Sequence, residues 1–228
     1  MKTKLKVKLL SHTPDADKLV AAAAKLCYAE SDVDTLMDNL TAEKVEDFIE
    51  RLADLGHESP IEHASYTFAV EGVSRALLAQ LTRHRIASYS VQSQRYVDKG
   101  DFDYIVPPSI AANPEAAEMF ERCMDMFDTY YAYFTTAGIP SEDARFVLPN
   151  ACDTRIIFTM NARSLHNFFR LRCCNRAQWE IRALADEMLK LCREVSPALF
   201  RHAGPSCAVS GKCSEGAMCC GEPREELK

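Results

Sequence analysis

The sequence predicts an α+β fold, a mixed or antiparallel sheet packed with long helices in a single domain. Stretches of period-two alternation and stretches of helical spacing follow one another without regular alternation, which disfavours a doubly wound sheet. No internal repeat or long linker interrupts residues 1–203, and residues 204–228 read as a loop-rich, cysteine-rich tail. With 228 residues, 47% hydrophobic and 26% charged, the chain is long enough to bury a sizeable core.

The elements follow in order. "KTKLKVKLL" alternates Lys4, Lys6 and Lys8 with Leu5, Val7 and Leu9, a half-buried strand with a charged outer face. Residues 15–28 and 32–55 read as helices, the second ended by Gly56. "HESPIEH" (57–63) is a helix start, with Ser59 as N-cap, Pro60 at the first helical position and Glu62 completing a capping box. "ASYTFAVEGV" is a strand, and "SRALLAQLTRHR" is a helix whose last turn carries Arg83, His84 and Arg85. Residues 102–106 form a short strand stopped by Pro107 and Pro108. A long helix runs from Pro114 to Thr136, and a short one spans 141–146. "TRIIFTMN" (154–161) is a strand, with helices at 162–173 and 177–195 after it.

Composition bounds the function. No run of eighteen apolar residues occurs, and "MKTKLKVKLL" lacks the apolar stretch of a signal peptide, so the expected location is the cytoplasm. In that compartment the ten cysteines are expected as thiols. Cys27, Cys123, Cys152, Cys173, Cys174 and Cys192 read as small core residues. Cys207, Cys213, Cys219 and Cys220 crowd into the tail at spacings that match no standard zinc pattern, so no metal is assigned. A net charge of −6 argues against a general nucleic-acid binder.

The charge distribution says more. Seven arginines, no lysine and only two acids occur between Arg145 and Arg182, and a second cluster fills "RHRIASYSVQSQRY" at 83–96. Arginine chosen over lysine suits planar, bidentate recognition of phosphate or carboxylate. None of the eight glycines stands in a nucleotide-binding glycine motif, so side chains must hold any phosphate. Nucleophile-elbow, zinc-protease and paired C-x-x-C motifs are also absent. On the helix after Asn161, Arg163, Asn167 and Arg170 share one face, and Arg172 points elsewhere. His57 stands beside a helix start where an anion could dock, while His12, His63, His166 and His202 read as packing, capping or surface residues. Ser93 has no base at a recognisable spacing and reads as a hydrogen-bonding residue. Together these point to a cleft for a small anionic ligand.

Four blocks carry a resemblance: "HESPIEH", "RHRIASYSVQS", "ARFVLP", and "NARSLHNFFRLR" with "AQWEIR". Arg-His-Arg, seven residues, then Ser, with the other blocks in this order, resembles the flavin-dependent thymidylate synthases. The resemblance implies a homotetramer with active sites at subunit interfaces, FAD as cofactor and dUMP as substrate. NADPH would reduce the flavin and methylenetetrahydrofolate would supply the carbon, giving dTMP and tetrahydrofolate; no nucleic-acid or membrane partner is implied. Carried over, Ser59 contacts the flavin with Glu62 and His57 nearby, and Arg83, His84, Arg85, Val91, Asn161, Arg163 and Asn167 complete the FAD site. Gln80, Arg83, Val91, Ser93, Gln94 and Arg95 hold dUMP, joined by Arg145 from another subunit. Arg172 is the catalytic residue, set against the uracil to favour its ionised form. Ser90-Val91 stands where the family often has Asn-Glu, which leaves a backbone contact at Val91, and Cys27 replaces a serine seen in some members. A same-scaffold flavoenzyme with an altered substrate is the nearer rival. A non-catalytic nucleotide- or RNA-binding module is disfavoured by the acidic charge and the lack of clustered aromatics.

Overall fold

A computed structural model describes residues 2–96 and 100–224, so the outer ends of the two expected segments, residue 1 and residues 225–228, lie outside the described residues. Four strands, β1 (Lys6–His12), β2 (Ser65–Ser74), β3 (Ser88–Val91) and β4 (Asp153–Asn161), form a sheet in the order β1-β2-β4-β3. Thr67 Oγ1 meets Thr159 Oγ1 at 2.9 Å and Ala162 N donates to Ala64 O at 2.8 Å, so β2 and β4 run antiparallel. β1 is antiparallel to β2, since Thr13 N reaches Ser65 O at 3.0 Å while Lys4 lies over Gly72. Along β1 the lysines face solvent and Val7 and Leu9 turn inward. Among the described residues, no helix is long and apolar enough to cross a membrane.

Contacts divide the chain into two compact units, each drawn from three separate stretches. The first comprises Met1–Lys6, Ala69–Arg83 and Tyr89–Ile157; the second comprises Val7–Phe68, His84–Ser88 and Phe158–Lys228.

In the first unit, α4 (Arg75–Leu81) starts at Ser74, whose Oγ accepts from Leu77 N at 3.0 Å. After the short helix α5 (Pro108–Ala111), α6 (Pro114–Thr136) starts on Asn113, whose side chain accepts from Ala116 N, with Pro114 in the first turn. Phe102, Met124 and Cys152 form a buried cluster joined by Tyr104, Phe120 and Phe127. Gly72 has φ +70°, and a Cβ there would sit 1.9 Å from the Lys4 carbonyl oxygen. Gly72→Ala is therefore expected to destabilise the protein by about 2–4 kcal/mol, read as a lower urea midpoint with an unchanged slope.

In the second unit the helices α1 (Ala16–Leu26), α2 (Val33–Asp38), α3 (Ala42–Leu55), α8 (Ala162–Arg172) and α9 (Trp179–Val195) surround an aromatic core. Tyr66, Phe68, Phe158, Phe168, Phe169 and Phe200 are fully buried. Tyr66 brings its hydroxyl inside because Ser196 Oγ lies 2.7 Å away. Asp17 fixes the chain after α9 by accepting Ala198 N and Leu199 N, both at 3.1 Å. His166 has its Nε2 3.0 Å from Leu199 O and stacks on Phe200, with burial lowering its pKa. That is a packing role.

Several expectations are corrected. The helix over 32–55 is two helices, because Thr41 caps a new start by accepting Lys44 N. The basic triplet does not sit in the last turn of a helix: α4 ends at Leu81, and Arg83–Arg85 lie beyond its cap Thr82. Residues 102–106 make only isolated bridges at Tyr104. Ser59 does precede a 3-10 turn at Pro60–His63, but its side chain makes no cap bond and Glu62 is drawn to Arg163 instead. Cys27 is exposed and Cys123 and Cys174 are half-buried, while Cys152, Cys173 and Cys192 are core residues as expected.

Candidate active site

The expected residues fall into two groups, one in each unit. In the first unit, Gln80 is half-buried on α4 and Arg83 is exposed just past its end. β3 ends at Val91, and Gln92 N ties the next residue to Arg155 O at 2.9 Å. Ser93 Oγ accepts from Arg95 N at 3.1 Å, a local turn that shapes the segment. Gln94 Nε2 reaches Cys152 Sγ at 3.8 Å. Arg95 Nη2 pairs with Glu142 Oε2 at 2.7 Å, and Arg145 Nε donates to Glu142 O at 3.0 Å. Glu142, on α7 (Ser141–Ala144), thus contacts two of the predicted dUMP ligands at once.

A third arginine belongs beside them and was missed. Arg75 Nη2 donates to Gln92 O at 2.7 Å, while its buried Nε has no hydrogen-bond partner among the described residues. Burial, and then repulsion from Arg145, lower its pKa. A signal existed in the sequence, since a cation at the first position of a helix opposes the macrodipole and needs another reason to be there.

In the second unit, His84 and Arg172 are in direct contact. Arg172 ends α8, and its Nε donates to His84 Nε2 at 3.0 Å. Phe168, one turn earlier on α8, packs edge-on against the imidazole at 4.9 Å. Burial first, and the Arg172 charge second, push the His84 pKa down to about 4. His84 is therefore neutral near pH 7, and the bond assigns its proton to Nδ1. An uncharged ring can hold the guanidinium without placing a second charge against it.

The remaining residues of this unit line the start of α8. Asn161 caps the helix, its Oδ1 accepting from Ser164 N at 2.9 Å. Arg163 Nε meets Glu58 Oε2 at 3.0 Å and its Nη1 meets Glu62 Oε1 at 2.5 Å, which joins "HESPIEH" to α8. Asn167 Oδ1 accepts from Arg170 Nη2 at 3.0 Å, as their shared face predicts. Ser59 and Arg85 are exposed, and among the described residues neither Arg83 nor Arg85 has an ion-pair partner.

Comparison with known proteins now bears on the arrangement. The family model described as "Thymidylate synthase complementing protein" matches residues 8–198, which include every candidate residue above. A flavin-dependent thymidylate synthase of Geobacter sulfurreducens is 54% identical, covering 97% of this chain and 96% of that protein. One from Clostridium tetani is 52% identical, covering 98% of this chain and 96% of that protein. Among solved structures, a UMP/dUMP methylase, PolB, from Streptomyces cacaoi bound with 5-Br dUMP superposes with a TM-score of 0.80 at 25% identity, covering 88% of this chain and 94% of that one. The chain belongs to the family of the flavin-dependent thymidylate synthases.

Proposed function

We propose that this protein methylates dUMP to dTMP in de novo dTMP synthesis, with FAD as its flavin, methylenetetrahydrofolate as carbon donor and NADPH as reductant. The observation that carries the reading is family membership over residues 8–198, which contain all four sequence blocks. In balance, dUMP, methylenetetrahydrofolate, NADPH and one proton give dTMP, tetrahydrofolate and NADP⁺.

Gln80, Arg83, the Val91 backbone, Ser93, Gln94, Arg95 and Arg145 are assigned to dUMP, with Ser93, Gln94 and Arg95 on its phosphate or base and Arg145 reaching it from another subunit. The arginine donors and the orphaned Nε of Arg75 fit a phosphate bound by side chains. Ser59, Arg83, His84, Arg85, Val91, Asn161, Arg163 and Asn167 are assigned to FAD. Cationic and amide donors, with two exposed arginines not ion-paired, fit a ligand that carries a pyrophosphate. The bound flavin supplies hydride chemistry; the protein's part is to hold the nucleotide and stabilise charge on its ring. Arg172 does the latter by favouring loss of the uracil proton, and His84 orients it.

We assign the active form as a homotetramer of this chain, with 1–203 as the catalytic domain and 204–228 as the appended tail. Met119, Met126, Tyr130 and Tyr133 are exposed on α6 at roughly helical spacing, an apolar face that a second copy would cover. The test is purification and complementation. The protein should emerge yellow and sediment as four chains, dUMP should perturb its flavin spectrum, and its gene should rescue a thymidine-requiring strain. A colourless protein that takes up no FAD would sink the reading.

A further inference from the structure

The tail gathers thiols that the proposed chemistry does not use. Cys174, Cys207, Cys213, Cys219 and Cys220 all line one cavity of about 190 Å³ in the second unit. Its framework is specific. Ser206 Oγ accepts from Ser214 N at 2.9 Å, which closes the loop after the short helix Ser206–Ser210 and brings Cys207 toward Cys213. A 3-10 turn at Gly216–Met218 then folds Cys219 back onto the cavity that Cys213 also lines. Asn175 Nδ2 holds Glu222 O at 2.9 Å, and Arg224 Nη1 holds Cys173 O and Asp186 Oδ1, each at 2.8 Å. The loop is therefore anchored to the chain around α8 and α9.

The sulfurs are not equivalent. Cys173 and Cys192 are buried, and burial raises their pKa, so they stay protonated and inert. Cys220 accepts from Glu222 N at 3.4 Å and donates to Glu222 O at 3.2 Å, which engages it locally. Cys219 is exposed and accepts from Gly221 N at 3.4 Å; this bond first, the Cys213 thiol next and the charge of Arg176 further down favour its thiolate. Cys213, also exposed, lines the same cavity. Among the described residues no three ligating side chains converge as a metal site requires, so a thiol pair accounts for the cluster better than a cation.

We propose that Cys213 and Cys219 are a redox-active dithiol that exchanges with low-molecular-weight disulfides of the glutathione class, closing to a Cys213–Cys219 disulfide. The Cys219 thiolate attacks one sulfur of the disulfide and expels a thiolate, leaving a mixed disulfide on Cys219. Cys213, deprotonated, attacks Cys219 Sγ and expels the second. The two protein thiols are oxidised, the small disulfide is reduced to two thiols, and the two protein protons pass to the leaving groups.

The test uses the full-length holoprotein, reduced and then equilibrated with oxidised glutathione, followed by alkylation and peptide mass spectrometry. Two thiols per chain should be lost and a Cys213–Cys219 cross-linked peptide should appear, with exposed Cys27 remaining alkylatable. Cys213→Ser should trap glutathione on Cys219, and Cys219→Ser should lose both the cross-link and the adduct. Retention of all ten thiols at excess oxidised glutathione overturns the proposal. So does a cross-link between other cysteines, or zinc in the purified protein at one atom per chain that disappears with Cys219→Ser.

Discussion

Arg172→Ala is expected to lower kcat by about 100- to 1,000-fold, an effect of about 2.7–4 kcal/mol on the barrier and typical of removing a preorganised charge-stabilising group. The half-buried guanidinium donates to a neutral imidazole, and under the proposed assignment its charge would stabilise an anion developing on the pyrimidine. Its loss should therefore show in kcat rather than in KM for dUMP, and the flavin content and sedimentation should match those of the parent. Arg172→Lys should recover only part of the activity, because an ammonium has no Nε–H to place on His84 while it reaches the ring. Near-parental activity in Arg172→Ala would show that the residue has been assigned the wrong task.

The second large effect belongs to His84. His84→Leu removes the acceptor for Arg172 Nε and should lower kcat about tenfold or more, since a hydrogen bond to a charged group contributes about 1.5–3 kcal/mol. His84→Gln offers a carbonyl oxygen in its place and should be milder. Both variants also separate from the parent in pH dependence. The folded pKa of about 4 lies below the ordinary histidine value of 6.5, so the unfolded chain binds the proton more readily. His84 therefore contributes its full stability above pH 6.5, and that contribution falls as pH drops toward 4. Thermal melts between pH 4 and 7 should show a shallower acid decline for His84→Gln than for the parent. An identical slope would mean that the imidazole is not held neutral.

What the sequence made legible was the chemistry written in contiguous residues. Asn161, Arg163, Asn167 and Arg170 sit on α8 as their spacing requires, and Arg172 does turn to a different partner. Residues placed by tertiary contact were hidden. β3 is four residues long with no strong pattern, and it joins the sheet beside β4. The Arg83–Arg85 triplet looks like a helical last turn because cations suit that end of the dipole, but α4 stops at Leu81 and its cap Thr82 bonds back to Leu78 O. The capping box at Ser59 failed for a related reason: Glu62 finds a better partner in Arg163, an arginine about a hundred residues away. Arg75 shows in the sequence only as a cation at a helix start, against the dipole, and its buried Nε marks it in the structure.

Glu142 gives the first unit an internal anion. Its carboxylate pairs with Arg95 and its carbonyl accepts from Arg145, so two arginines assigned above to dUMP are tied to one acidic residue. Both side chains of the Arg95–Glu142 pair are about half exposed (49% and 48%), and such pairs contribute at most about 1 kcal/mol. Under the proposed assignment, dUMP would displace from Arg95 a competitor too weak to keep it, at little cost.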